Sequence, residues 1–221
     1  MHILLTDILT CPRCGPEFGL ILLADRIEER RVLEGRLGCA NCRESYPIRG
    51  GEADLRLAAT PSPEAPAVPS PATGDEEAAT RLAALLGLAE VKGNVLVAGP
   101  GAELASAVAG VVPEVEVVAY RAAPAGGAEE RGVSRIAGSE RLPFRSRSLR
   151  GVALTGGADD ALLDEAARTA AAGARIVVDP APAGAAERLR GAGAAVLLEQ
   201  EGVVVARSAG DPVQMRVNAV R

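Results

Sequence analysis

Two C-x-x-C pairs near the start of the chain, Cys11-Pro-Arg-Cys14 and Cys39-Ala-Asn-Cys42, constrain the fold more than any other feature of its 221 residues. A C-x-x-C turn aims two sulfurs at one point, and two such turns on one short segment close a tetrahedral thiolate site. With all four positions filled by protein, none is left for water or substrate, so the metal expected there is a structural zinc. Thiolate spacing alone does not separate zinc from a rubredoxin-type iron centre, and that alternative stays open. Disulfides are the weaker reading. The opening Met1-His2-Ile3-Leu4-Leu5-Thr6-Asp7 lacks a basic start and reaches an acid too early for a secretory signal. No apolar run is long enough to span a bilayer. The expectation is a cytoplasmic chain with reduced thiols and no membrane partner.

Apolar residues make up 48% of the chain, but aromatics are only 2% and Trp is absent. Core volume must therefore come from Val, Leu, Ile and Ala. The formal net charge is −5, which argues against a general nucleic-acid binder. Nucleic acid remains a partner only if the arginines gather on one face.

Four segments follow from composition and periodicity. Residues 1–58 form the cysteine ribbon, with strands expected at Gly19 to Leu23, Val32 to Gly38 and Ala53 to Leu57. A segment of that size buries little core, so metal binding should supply much of its folding free energy. Residues 59–75, rich in Pro and Ala, read as a semi-rigid linker. Residues 76–209 alternate strands with helices. Strands are expected at Gly93 to Ala98, Val115 to Tyr120, Val133 to Ala137, Gly151 to Thr155 and Ala174 to Asp179, with a closing hairpin over Ala194 to Glu199 and Gly202 to Arg207. This is an α/β pattern, a Rossmann-like and mostly parallel sheet ending in an antiparallel hairpin. Residues 210–221 form a tail in which Val213 to Val217 reads as an extra strand or a docking segment.

The first segment resembles the zinc ribbon of methyltransferase activators, the small partners of tRNA, ribosomal-RNA and release-factor methyltransferases. The matching residues are Leu5 to Leu9, both cysteine pairs, Tyr46-Pro47-Ile48, and Gly51, Asp54 and Leu55. The second segment resembles a class I S-adenosylmethionine-dependent methyltransferase. Asn94 to Glu103 stands at the family's Gly-rich cofactor loop, Arg141 to Phe144 at its Leu-Pro-Phe segment, and Ala172 to Asp179 at a later strand. The resemblance implies a cofactor site around Gly99, Gly101 and Arg121.

The departures from that family carry the functional reading. Where the resemblance implies acids, this chain has Val97, Tyr120 with Arg121, Gly138 or Ser139, and Arg150; the third loop glycine is Glu103. A carboxylate on a ribose diol makes charge-assisted bonds of about 1.5–3 kcal/mol each, so these losses weaken cofactor binding by orders of magnitude. Gly99, Gly101 and Arg121 then line a vestigial pocket. The expectation is a non-catalytic zinc protein with a methyltransferase-like half, binding or scaffolding a protein partner, either a separate methyltransferase or its own second half. The alternative is an active S-adenosylmethionine-dependent enzyme with its activator in cis; an RNA-associated ribbon ranks third. His2, the only histidine, lies at a terminus expected to be disordered, which leaves no Ser-His or Cys-His catalysis. Asp159 reads as a helix N-cap, and Glu28 to Arg31 as a solvated charged hairpin.

Overall fold

The computed structural model describes residues 1–57, 75–127, 129–139 and 141–209. The Pro-rich stretch 60–74 and the tail 210–221 lie outside the described residues. The first half opens with a 3-10 turn, Ile3–Asp7, followed by the antiparallel pair β1 (Thr10–Cys11) and β2 (Gly15–Gly19). A meander follows: β3 (Ile21–Glu28), β4 (Arg31–Gly38), β5 (Ser45–Arg49) and β6 (Glu52–Asp54). The second half runs α1 (Asp75–Leu86), β7 (Gly93–Ala98), α2 (Ala105–Val111), β8 (Val115–Arg121), β9 (Val133–Ala137), β10 (Leu149–Thr155), α3 (Asp160–Thr169) and β11 (Ala170–Asp179). It closes with α4 (Ala185–Gly191), β12 (Ala195–Gln200) and β13 (Val203–Arg207). Asp159 caps α3 as expected, accepting the Leu162 N–H.

Eleven strands form one sheet in the order β12-β13-β11-β10-β7-β8-β9-β6-β5-β4-β3. Strands β7 to β11 run parallel, and β13 enters antiparallel between β11 and β12, which gives the expected hairpin edge. The two halves meet where β6 pairs parallel with β9, matching Glu52 to Arg135, Ala53 to Ile136 and Asp54 to Ala137. Without β6, β9 would present a bare edge of unpaired backbone groups. The cysteine ribbon is thus a continuation of the α/β sheet.

The central strands are buried on both faces, which explains their near-continuous apolar sequence. Val95, Val97, Val117 and Ala119 pack under α1 and α2. Leu96, Ala98, Val118 and Tyr120 face the other side, where one core cluster takes in Leu163 of α3, Leu189 of α4, and Leu5, Leu9, Leu37 and Ile48 of the ribbon. The ribbon therefore escapes the small-core problem by sharing the core of the second half.

Two expectations are corrected. The N-terminus is held in place: Met1 is fully buried, and the His2 N–H donates to Ser134 Oγ at 2.8 Å. The charged hairpin is exposed from Glu28 to Arg30, as expected, but not at Arg31. β3 extends to Glu28, the turn is confined to Glu29 and Arg30 at positive φ, and Arg31 is buried. Ile27 continues the strand pattern past Asp25, and Arg31 finds acids from the second half.

Candidate metal centre and carboxyl-end crevice

Cys11 ends β1 and Cys39 follows β4, so both knuckles hang from strand ends. In the second knuckle Arg43 adopts a left-handed conformation and its N–H donates to Cys39 O at 2.9 Å. All four sulfurs lie within 4.8 Å of one another, with Cys11 to Cys42 at 3.6 Å and Cys14 to Cys39 at 3.8 Å. A tetrahedron with metal–sulfur bonds near 2.3 Å has edges of about 3.8 Å, so the cage fits a thiolate-bound ion. Two further groups orient the sulfurs: the Tyr46 hydroxyl sits 3.4 Å from Cys11, and Asn41 Nδ2 donates to Cys14 at 3.3 Å.

The electrostatics of the cage call for a cation. Desolvation opposes the Cys39 thiolate, yet the N–H groups of Cys42 and Asn41 bring its pKa down to about 7. A Glu44 N–H favours the Cys42 thiolate, but burial and the neighbouring sulfurs outweigh it and push that thiol up to about 12. Four thiolates this close cannot all ionise unless a positive ion sits between them.

The second feature lies at the carboxyl ends of the parallel strands. β7 is flanked by β8 and β10, so the chain order reverses across the β7/β10 boundary. Open α/β sheets bind ligands in the crevice at such a switch point. Here the boundary is laced. Thr155 Oγ1, at the end of β10, accepts the Gly101 N–H at 2.9 Å and donates to Ala98 O at 2.7 Å. A Cβ on Gly99 would collide with Thr155 O, and one on Gly101 would lie 2.6 Å from Thr155 Oγ1. Both loop glycines thus permit close approach to β10.

Beside them, Tyr120 is 5% exposed, with its hydroxyl 2.6 Å from Ser139 O and 2.9 Å from Arg141 O. Burial holds its phenol well above the usual value. The hydroxyl occupies the space a side chain at Gly138 would need, and the ring meets Phe144 edge-to-face. Gly99 joins the same corner by donating its N–H to Tyr120 O at 3.1 Å. Arg121 is half-buried at the end of β8. Glu103 is exposed, and Val97 is buried on the α1/α2 face. Arg150 stands at the opposite, amino end of β10 beside Gly93, so it cannot reach this crevice.

Sequence reasoning missed the polar lock between the halves. Arg31 Nη1 donates to Glu116 at 2.6 Å, Nε to Glu129, and Nη2 to Glu130 O and Val133 O. Glu129 also pairs with the Met1 α-amine at 3.2 Å. Glu52 accepts the N–H groups of Ala125 and Gly126 at 3.0 and 2.9 Å. No sequence signal separates these residues from surface charges, because their partners lie far along the chain.

Residues 2–51 match the Trm112p-like protein family. No curated protein matches the chain. Among solved structures, the antibiotic-resistance methyltransferase Kmr is 13% identical, with a TM-score of 0.45, covering 60% of this chain and 93% of its own. A chain from a complex containing the Haloferax volcanii Trm112 methyltransferase activator is 15% identical, with a TM-score of 0.47, covering 62% and 92%. The Burkholderia thailandensis 1,6-didemethyltoxoflavin-N1-methyltransferase, solved with S-adenosylhomocysteine, is 17% identical, with a TM-score of 0.45, covering 62% and 79%. The chain joins a Trm112p-like segment with a four-cysteine cage to an α/β half built on a mostly parallel sheet.

Proposed function

We propose that the chain is a non-catalytic binding protein in which a structural zinc shapes a ribbon that completes, in cis, the sheet of a methyltransferase-like half. The observation that carries this reading is the lacing of the switch point by Thr155, with Tyr120 filling the adjoining corner. A nucleoside cofactor would need that space and an acid to hold its ribose, and the end of β8 supplies Tyr120 and Arg121 instead. Its ligand would be another protein in a cytoplasmic setting. No helix among the described residues is long and apolar enough to cross a membrane. Strand addition at the β9 edge is already satisfied by the chain's own β6, so a separate enzyme would have to dock elsewhere.

Calorimetric titration with S-adenosylmethionine and S-adenosylhomocysteine tests the reading. No heat at millimolar ligand is expected; micromolar binding would overturn it. Elemental analysis should give about one zinc per chain. The second reading, an active methyltransferase with its activator in cis, is favoured by that same β6–β9 pairing, and the titration decides between the two.

A further inference from the structure

A short hydrogen-bonded path joins the cysteine cage to the crevice. The Thr10 N–H, next to Cys11, donates to Pro143 O at 2.9 Å, and the Arg145 N–H donates to Ile8 O at 2.8 Å. Leu9 and Phe144 form an antiparallel bridge between these contacts. Ile8–Thr10 is therefore the backbone partner of Pro143–Arg145. Phe144 is fully buried and its ring lies 6.5 Å, centroid to centroid, from that of Tyr120. Tyr120 in turn holds Ser139 O and Arg141 O, and Gly138 N–H donates to Arg121 O at 2.8 Å. From the other side, Arg168 on α3 reaches Leu142 O and Phe144 O.

Strand β1 is only two residues long, too short to hold its place by pairing alone. Coordination of Cys11 would fix it. Without coordination at Cys11 the first knuckle loses one of its anchors. The rest of the ribbon has other ties, through β6–β9 pairing and Arg31, so the loss should be local.

We propose that metal occupancy at the four cysteines sets the position of Leu142–Arg145 and, through Phe144 as a positioning residue, keeps Tyr120 closed over the crevice. This rests on the reading that the cysteines hold a metal. The test is amide hydrogen exchange on the full chain, zinc-loaded and after chelation under reducing conditions. Exchange at Thr10, Arg145 and Gly138 should rise at least tenfold on chelation, while Val152–Leu154 and Ile176–Val178 stay protected. In Phe144→Leu, zinc should still bind, but Gly138 should exchange fast whether or not metal is present. If the knuckles lose protection while Arg145 and Gly138 keep theirs, the coupling is wrong and the metal reading stands. A uniform rise that includes β10 and β11 would be global unfolding and would equally overturn the coupling. A purified chain that binds no metal would instead remove the reading beneath it.

Discussion

Replacing Arg31 by Met should destabilise the protein out of proportion to one side chain. The side chain is 9% exposed, and its guanidinium serves four acceptors: Glu116, Glu129, Glu130 O and Val133 O. Breaking a buried ion pair by removing one partner costs about 3–5 kcal/mol, because the remaining charge is left uncompensated. Two contacts soften the loss here: Glu116 keeps the Ser134 hydroxyl at 2.6 Å, and Glu129 keeps the Met1 amine. That places the cost near the lower end, about 3 kcal/mol. For a chain of this size each kcal/mol moves the melting temperature by about 2–4 °C, so a drop of about 6–12 °C is expected. Circular dichroism melting with zinc in excess reads it. Arg31→Lys should recover little, since an ammonium cannot reproduce the fork. Adding Glu116→Gln to Arg31→Met should restore stability, because it removes the stranded carboxylate. A melting point within about 2 °C of the parent, or strictly additive losses in the double variant, would refute the reasoning.

Three further outcomes are expected. Tyr46→Phe keeps the ring but removes the hydroxyl beside Cys11, and should weaken metal retention by about tenfold or more in competition with a chromophoric chelator; unchanged affinity would exclude an orienting role. Thr155→Val deletes both hydrogen bonds across the switch point and should cost about 1–3 kcal/mol in urea unfolding; a neutral result would mean the lacing holds nothing. Burial, opposed by Glu129, holds the Met1 α-amine near pKa 6 against an ordinary 8.0. The unfolded chain then binds more protons between pH 6 and 8, so stability should rise with pH across that window by about 2–3 kcal/mol. An α-acetylated chain should lack that increment, and equal slopes for the two would count against it.

Much of the local architecture was legible. Strands β7 and β9 begin and end at the residues their apolar runs indicate, because buried parallel strands carry continuous Val, Leu and Ile. The cysteine cage was legible because C-x-x-C spacing is a local geometric device. The crevice was legible only as a set of missing acids: Val97 and Arg150 proved to lie away from it, while Tyr120 and Thr155 proved to fill and lace it. Arg31 read as solvated because charge patterning says nothing about a partner nearly a hundred residues away.

Ligand identity, strand periodicity and helix capping follow from residues a few positions apart, and for this chain they were set by sequence: the four sulfurs, the alternating α/β order, the Asp159 cap. The joining of the halves was decided by tertiary structure. Glu52–Asp54 is a three-residue strand whose sequence does not name its partner, yet its pairing with β9 makes the ribbon and the α/β half one sheet over a shared core. Edge pairing and charge burial depend on which surfaces meet, and only the folded chain specifies that.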